Sequence, residues 1–226
     1  YLRAGNATDI ILLDDGFQHR RLHRDLDIVL VDVLRSPFDD ALLPRGYLRE
    51  PVGSLARADV IALTRTDLAA QKMLSSLRSR IGQVVGAAPQ VEFQSTWSAV
   101  DSTDAREPRD VGWLSGRTFV AVCGIGHPDA FLAMAGRSGA RLADTIIRRD
   151  HHHYAAAEVA AMARQAAGAD GLLTTVKDWV KIEPLMRQHA INIPVHRPRL
   201  TFEPTRGGEA LIRRIVDLVR TRSEPS

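Results

Sequence analysis

Two adjacent carboxylates, Asp14 and Asp15, follow directly after an apolar run at residues 10–13. Such a run is typical of a buried parallel strand, and ligands of doubly wound sheets bind beyond the carboxyl ends of their strands. A carboxylate in that place can hold Mg²⁺ beside a nucleotide phosphate. It could instead merely cap the turn that follows the strand. The pair is therefore a candidate catalytic and metal-binding site for phosphate chemistry.

A second cluster of reactive side chains is the string Asp150-His151-His152-His153-Tyr154. Neighbouring side chains of a regular element diverge, so the histidines cannot all bind one metal ion, and no zinc-ligand spacing is completed around them. His151, with Asp150 beside it, could donate to a phosphate or move a proton. Alternatively, Asp150 or a histidine caps a helix that begins near Ala155.

Arg65 and Asp67 are candidates for nucleotide contact. They belong to the string Thr64-Arg65-Thr66-Asp67, which follows an apolar run at residues 60–63. P-loop proteins often place base-recognising residues at such a position. A helix N-cap formed by Thr66 or Asp67 is the alternative interpretation.

Lys177 is a further candidate, for phosphate contact. The 30 cationic side chains include only three lysines, Lys72, Lys177 and Lys181, and all the others are arginines. Lys177 comes just after a predicted strand, where it could bind a phosphate or form a surface ion pair with Asp178.

The elements that must position these residues alternate between strands and helices. This alternation predicts an α/β fold, with a parallel sheet covered by helices on both faces. Strands are predicted at residues 10–13, 28–32, 60–63, 118–123, 140–147, 171–176 and 193–196, and helices at residues 67–81, 128–136, 155–167 and 208–221. A polar stretch at residues 98–112 predicts a linker between two lobes, residues 1–97 and 113–226.

Composition excludes several classes of protein. The 226 residues are 45% hydrophobic and 25% charged, which is incompatible with intrinsic disorder. No apolar run approaches the roughly 20 residues of a membrane-spanning helix, and Cys123 is the single cysteine, so an intrachain disulfide is impossible. The arginines are interleaved with acids and only 5% of residues are aromatic, which argues against a nucleic-acid partner.

Five strings in this order and spacing together carry a family resemblance. In the first lobe they are Asp14-Asp15-Gly16-Phe17-Gln18-His19, the start of a string that runs to Asp25, and Leu43-Pro44-Arg45-Gly46-Tyr47-Leu48-Arg49-Glu50-Pro51. In the second lobe they are Cys123-Gly124-Ile125-Gly126-His127-Pro128, the histidine string already named, and Thr174-Thr175-Val176-Lys177-Asp178. Over nearly its whole length, the chain resembles the tetraacyldisaccharide 4′-kinase family of lipid A biosynthesis.

The resemblance implies a P-loop-kinase-like fold and an ATP-dependent lipid-sugar kinase. Such an enzyme moves the γ-phosphoryl of ATP to the 4′-hydroxyl of a tetraacylated glucosamine disaccharide 1-phosphate, with Mg²⁺. Asp14 and Asp15 match the family's acidic pair near Mg-ATP, Glu50 matches a glutamate near the metal, and the match strengthens the catalytic interpretation of His151. The acylated substrate implies peripheral contact with the membrane, at the cytoplasmic face of the bacterial inner membrane.

One expected motif does not occur in this sequence. P-loop NTPases carry G-x-x-x-x-G-K-[ST], and the family has this loop upstream of the acidic pair. We therefore expect residues 1–226 to be the C-terminal two thirds of a kinase, inactive alone. Two alternatives stay open: a non-catalytic α/β module that binds anionic lipid or nucleic acid, and a P-loop relative that acts on a small metabolite.

Overall fold

The computed structural model describes the backbone of residues 10–223 and the side chains of residues 10–221. The strands in these residues are β1 (Ile28–Asp32), β2 (Val60–Thr64), β3 (Val91–Ser102), β4 (Thr118–Cys123), β5 (Arg141–Ile147), β6 (Leu172–Thr174) and β7 (Val195–Arg206). They form one sheet with the order β1-β2-β3-β7-β6-β4-β5. Pairing is parallel between β1 and β2, β2 and β3, β4 and β5, β4 and β6, and β6 and β7.

Five α-helices accompany the strands in the described part of the chain. They are α1 (Gln71–Val85), α2 (Pro128–Arg137), α3 (Ala156–Gln165), α4 (Val176–Gln188) and α5 (Gly208–Ser223). The α/β alternation predicted from the sequence is thereby confirmed. None of these helices is long and apolar enough to cross a membrane.

Contacts divide the chain into two units, which are described separately. Unit 1 comprises the residues up to Ser95 together with those from Phe202 onwards. Its part of the sheet is covered on both faces. On one face Val31 and Leu63 pack with Leu77 of α1, and on the other Val60 and Ala62 pack with Leu211 of α5.

Unit 2 comprises Thr96–Thr201 and is built around β4. Because side chains alternate along a strand, Val120 and Val122 face α3 and α4, whereas Phe119 and Ala121 face α2.

In unit 2 the sheet order is β7-β6-β4-β5, so the chain leaves β4 towards β5 and then crosses back to β6. This reversal is a topological switch point between β4 and β6, and a crevice at the carboxyl ends of such strands is the usual ligand site of doubly wound sheets.

The boundaries of the two units differ from the predicted lobes. The predicted linker at residues 98–112 includes the end of β3, which runs to Ser102. The last helix, predicted within the second lobe, belongs to unit 1. The reason is specific packing: Leu211 lies against Val60, and Arg214 donates to the carbonyl and carboxylate of Asp59 at 3.1 and 3.2 Å.

The strand predicted at residues 10–13 is wrong. These residues have no regular secondary structure, and Leu12 is 90% exposed. A parallel strand requires neighbouring strands to satisfy its backbone groups, and within the described residues β1 pairs with β2 but with no strand on its other side. The apolar composition of residues 10–13 alone therefore does not produce a strand.

The helix predicted at residues 67–81 begins and ends later than expected. Arg65 adopts a left-handed backbone with a φ of 58°, and Thr66–Leu68 form a 3₁₀ turn before α1 starts at Gln71. The helix ends at Val85, and its C-cap is Gly86, whose φ of 79° favours glycine.

A buried histidine in unit 2 links three of its segments. The imidazole of His196 lies 2.8 Å from Ser102 Oγ through Nδ1 and 3.1 Å from the carbonyl of Asp170 through Nε2. A carbonyl only accepts, so Nε2–H is the donor and Nδ1 accepts from the serine hydroxyl. Burial lowers the pKa of His196, which keeps the ring neutral.

We expect the free energy of unfolding to fall as the pH drops below about 6.5, the ordinary histidine value. The pKa of His196 is lower in the folded protein than in the unfolded chain, so the unfolded chain binds more protons in this range and acid favours unfolding. Urea denaturation between about pH 5 and pH 8 measures the effect. His196→Gln should flatten this dependence, whereas His189→Gln, at the exposed end of α4, should retain it. Equal pH slopes for all three proteins would contradict the assignment.

Candidate functional site

The acidic pair lies in an exposed turn of unit 1. Asp14 and Asp15 occupy the turn after residues 10–13, and Asp15 has a left-handed backbone with a φ of 54°. Its carboxylate lies 2.5 Å from the guanidinium of Arg49. The first family string and the loop that carries Arg49 are thereby in direct contact.

A second contact joins the same two segments. Arg57 donates to the carboxylate of Glu50 at 2.7 Å, and its guanidinium stacks over the ring of Phe17 with 4.5 Å to the ring centroid. The hydrogen bond from Arg57 holds the pKa of Glu50 below its usual range. Glu50 and Asp15 therefore belong to one surface of unit 1, although 35 positions separate them in the printed sequence.

This surface combines carboxylate and guanidinium groups. Hard oxygen ligands suit Mg²⁺, which is usually bound by one or two carboxylates together with substrate phosphates and water. The described residues contain no preassembled group of three or more His, Cys, Asp or Glu side chains able to hold a metal. Asp14, Asp15 and Glu50 nevertheless fit the ion by donor chemistry, because phosphate oxygens complete such a site. Arg49 and Arg57 offer planar donors that suit phosphate.

Arg65 and Asp67 are tied into the framework of unit 1. Arg65 forms an ion pair with Asp32 at the carboxyl ends of β1 and β2. Asp67 Oδ1 accepts from the backbone N–H of Ser95 at 2.9 Å. Asp67 therefore satisfies a donor of β3. The alternative of a helix N-cap by Thr66 or Asp67 does not hold, since the N-cap of α1 is Ala70. That Arg65 and Asp67 contact the nucleotide stays a prediction.

In unit 2, the histidine string follows β5 and its members have different surroundings. His151 has a φ of 61° and a side chain that is 78% exposed. His152 instead binds Glu158 at 3.0 Å. The alternative of a helix cap is wrong for α3, whose N-cap is Ala155 without a side-chain hydrogen bond.

Lys177 pairs with Asp150 and not with its neighbour Asp178. The distance from Lys177 Nζ to Asp150 Oδ1 is 2.7 Å, and this contact holds the pKa of Asp150 below its usual range. The string at residues 174–178, which begins at the last residue of β6, thus contacts the histidine string, which follows β5. Both lie at the carboxyl edge of the sheet in unit 2.

Sequence reasoning missed Asp178 as a buried residue. Its side chain is completely buried and accepts from the N–H of Gly124 at 2.9 Å, the hydroxyl of Tyr154 at 3.0 Å and the hydroxyl of Thr175 at 2.6 Å. A Cβ on Gly124 would meet Asp178 Oδ1 at 3.0 Å, so glycine permits this close approach. The available signal was the helix-start pattern [ST]-x-x-[DE] formed by Thr175 and Asp178.

Two neighbours of Asp178 are chemically inert. Burial, followed by the charge of Asp178, raises the pKa of the Cys123 thiol to about 11. Burial likewise raises the pKa of the Tyr154 hydroxyl above its usual range. Cys123 is therefore a packed core residue, and Tyr154 is a hydrogen-bond donor.

A family model described as tetraacyldisaccharide-1-P 4′-kinase matches residues 1–216. The chain belongs to this family. It is 40% identical over 185 residues to the tetraacyldisaccharide 4′-kinase of Geobacter metallireducens, covering 81% of this chain and 52% of that protein. It is 37% identical over 208 residues to that of Anaeromyxobacter dehalogenans strain 2CP-C, covering 91% and 54%. The chain thus spans about half the length of the curated relatives it matches.

The fold of the tetraacyldisaccharide 4′-kinase family is also the fold of this chain. The crystal structure of the "apo" form of LpxK from Aquifex aeolicus in complex with ATP matches it with a TM-score of 0.54 at 22% identity. The match covers 91% of this chain and 56% of that one. The predicted P-loop-kinase-like fold is thereby confirmed, with a mixed, mostly parallel sheet where a parallel one was expected.

We expect Asp178→Ala to lower the free energy of unfolding by about 3 kcal/mol, because it leaves three buried donors without an acceptor. Tyr154→Phe removes one of these hydrogen bonds and should cost about 1 kcal/mol. Asp144→Ala, at an exposed position of β5, is the control and should stay within about 0.5 kcal/mol of the parent. Chemical denaturation measures all three, and a loss no larger for Asp178→Ala than for Asp144→Ala would refute the role of Asp178.

Proposed function

We propose that this protein acts in an ATP-dependent lipid-sugar kinase. The reaction transfers the γ-phosphoryl of ATP to the 4′-hydroxyl of a tetraacylated glucosamine disaccharide 1-phosphate, in lipid A biosynthesis. The observation that carries the proposal is the family match over residues 1–216. The contacts of Asp15 with Arg49 and of Glu50 with Arg57 support it, because they gather the carboxylates that phosphoryl transfer needs.

The carboxylates of unit 1 are proposed to hold Mg²⁺. Asp14, Asp15 and Glu50 are the residues concerned, and the ion would neutralise charge on the phosphates of ATP. Arg49 lies at Asp15 and Arg57 lies at Glu50, and both would supply positive charge to the negative phosphoryl group. Phosphoryl transfer depends on such positioning and charge stabilisation more than on covalent chemistry.

The remaining candidates have proposed roles in nucleotide binding and proton transfer. Arg65 and Asp67 would contact the nucleotide, and Lys177 is a candidate for its phosphates. His151 would orient or deprotonate the acceptor hydroxyl, since imidazole is a common general base and the side chain of His151 is accessible to a substrate.

A Walker A loop is proposed to complete the nucleotide site. Its backbone amides and lysine hold the β- and γ-phosphates in P-loop enzymes, and the printed sequence contains no such string. The whole kinase is therefore proposed to contain this loop in residues outside the 226.

The protein is proposed to work peripherally at the cytoplasmic face of the bacterial inner membrane. Its proposed acceptor carries acyl chains, so the active site must approach the lipid surface. Helix α5 offers one suitable surface, with exposed Ile212 and Val216 beside Arg213 and Arg220.

The 226-residue polypeptide alone should bind ATP weakly and transfer no phosphate. The physical reason is that it lacks the string whose amides and lysine cradle the triphosphate. Calorimetry with Mg-ATP and a radiolabelled transfer assay with the acylated disaccharide 1-phosphate test both points. ATP-dependent 4′-phosphorylation by this polypeptide alone would show that the loop is dispensable.

In the whole kinase, Asp15→Asn should lower kcat by about 100-fold or more, because it removes charge from the proposed metal site. The melting temperature should hardly change, because the Asp15–Arg49 contact is exposed and worth at most about 1 kcal/mol. Steady-state kinetics with the acylated acceptor, with Asp144→Asn as the control, measures the effect. A wild-type rate for Asp15→Asn would remove the acidic pair from the mechanism.

A further inference from the structure

Helix α4 supplies two lysines that bind the histidine segment, residues 150–154. Lys177 Nζ lies 2.7 Å from Asp150 Oδ1, and Lys181 Nζ donates to the carbonyl of His152 at 3.0 Å. The two lysines are four residues apart and lie on the same face of the helix. Two of the three lysines in the whole sequence thus contact one five-residue segment.

The backbone of His151 is held in an unfavourable conformation by this arrangement. Its φ of 61° lies in the left-handed region, which costs an L-residue with a side chain roughly 1–2 kcal/mol. The N–H of His151 donates to Asp150 Oδ1 at 2.9 Å, and that same oxygen accepts from Lys177. A strained conformation persists only where its surroundings over-determine it.

The imidazole of His151, in contrast to its backbone, projects into solvent. The side chain is 78% exposed, and its Nε2 lies 3.9 Å from Asp150 Oδ2. The segment therefore fixes the main chain of His151 while leaving the ring accessible to a substrate. This is what a proton-transferring side chain needs, because misplacement by about 1 Å can cost a factor of about 100 in rate.

We propose that Lys177 is a positioning residue for His151. Its ammonium group fixes the carboxylate of Asp150, and Asp150 fixes the backbone of His151, so that the imidazole stays at the carboxyl edge of the sheet in unit 2. The inference rests on the proposed function for the chemical step of His151, and it replaces phosphate contact as the role of Lys177.

An ordinary surface ion pair is the rival explanation. The side chains of Lys177 and Asp150 are 44% and 41% exposed, and such pairs contribute at most about 1 kcal/mol to stability. Both explanations predict a small change in melting temperature, so stability does not separate them. Two other measurements separate the explanations: the local order of the His151 backbone, and whether loss of Lys177 changes kcat or KM.

The first measurement uses the 226-residue chain and needs no activity. Backbone ¹⁵N relaxation should give His151 an order parameter near 0.85 in the parent and in Lys177→Arg, which keeps the cation. Lys177→Met should lower it below about 0.6. Lys72→Met, which removes the one lysine of α1, is the control and should leave it unchanged. An order parameter for His151 that is the same in Lys177→Met and the parent would overturn the proposal.

The second measurement uses the whole kinase. Lys177→Met should lower kcat by about 100-fold with the KM for ATP within about twofold of the parent, and Lys177→Arg should restore most of the rate. A raised KM for ATP with kcat unchanged would overturn the proposal in favour of phosphate contact. A parent kinase without transfer activity would count against the proposed function instead, and the relaxation experiment would still decide the positioning role.

Discussion

A carboxylate that is fully shielded from water needs hydrogen-bond donors from the protein, and Asp178 obtains them from three separate parts of unit 2. Gly124 donates from the end of β4, Tyr154 from the segment before α3, and Thr175 from the start of α4. These three parts surround the switch point between β4 and β6. One side chain therefore joins the three segments that follow β4, β5 and β6.

The candidate site in unit 1 is organised differently. There the carboxylates of Asp15 and Glu50 are paired with Arg49 and Arg57 at or near the surface, where water screens the attraction. Such contacts hold groups near one another at little energetic gain, and they can exchange partners easily. The buried network of unit 2 suits a fixed framework, and the exposed pairs of unit 1 suit the proposed site, where charges would rearrange around a triphosphate.

The sequence predicted the elements whose signals are local. β4 was predicted at residues 118–123 and observed there, because its five buried residues, 119–123, give an unbroken apolar run. Residues 10–13 show the same local pattern without forming a strand, because strand formation also depends on neighbours that composition does not reveal. The return of α5 to unit 1 was likewise not predictable, since amphipathicity shows that a helix packs but not against which sheet.

Among the site residues, the order of the motifs was visible in the sequence but their pairing was not. In the sequence, Asp178 next to Lys177 is typical of a surface ion pair. In the structure Asp178 is buried, and its partners Tyr154 and Gly124 lie 24 and 54 positions away. The pairing of Lys177 with Asp150 spans 27 positions. Contacts over such separations depend on how strands are ordered in the sheet, and local propensity carries no information about that order.

The path of the chain between the units bears on how the protein is made. Unit 2 is one continuous stretch, so its core can form once Thr201 has left the ribosome. Unit 1 is split, and the β2 residues Val60 and Ala62 are covered by Leu211 only after translation has passed α5. These apolar side chains of β2 are therefore covered only after unit 2 has been synthesised, and until then they stay open to chaperones and to aggregation.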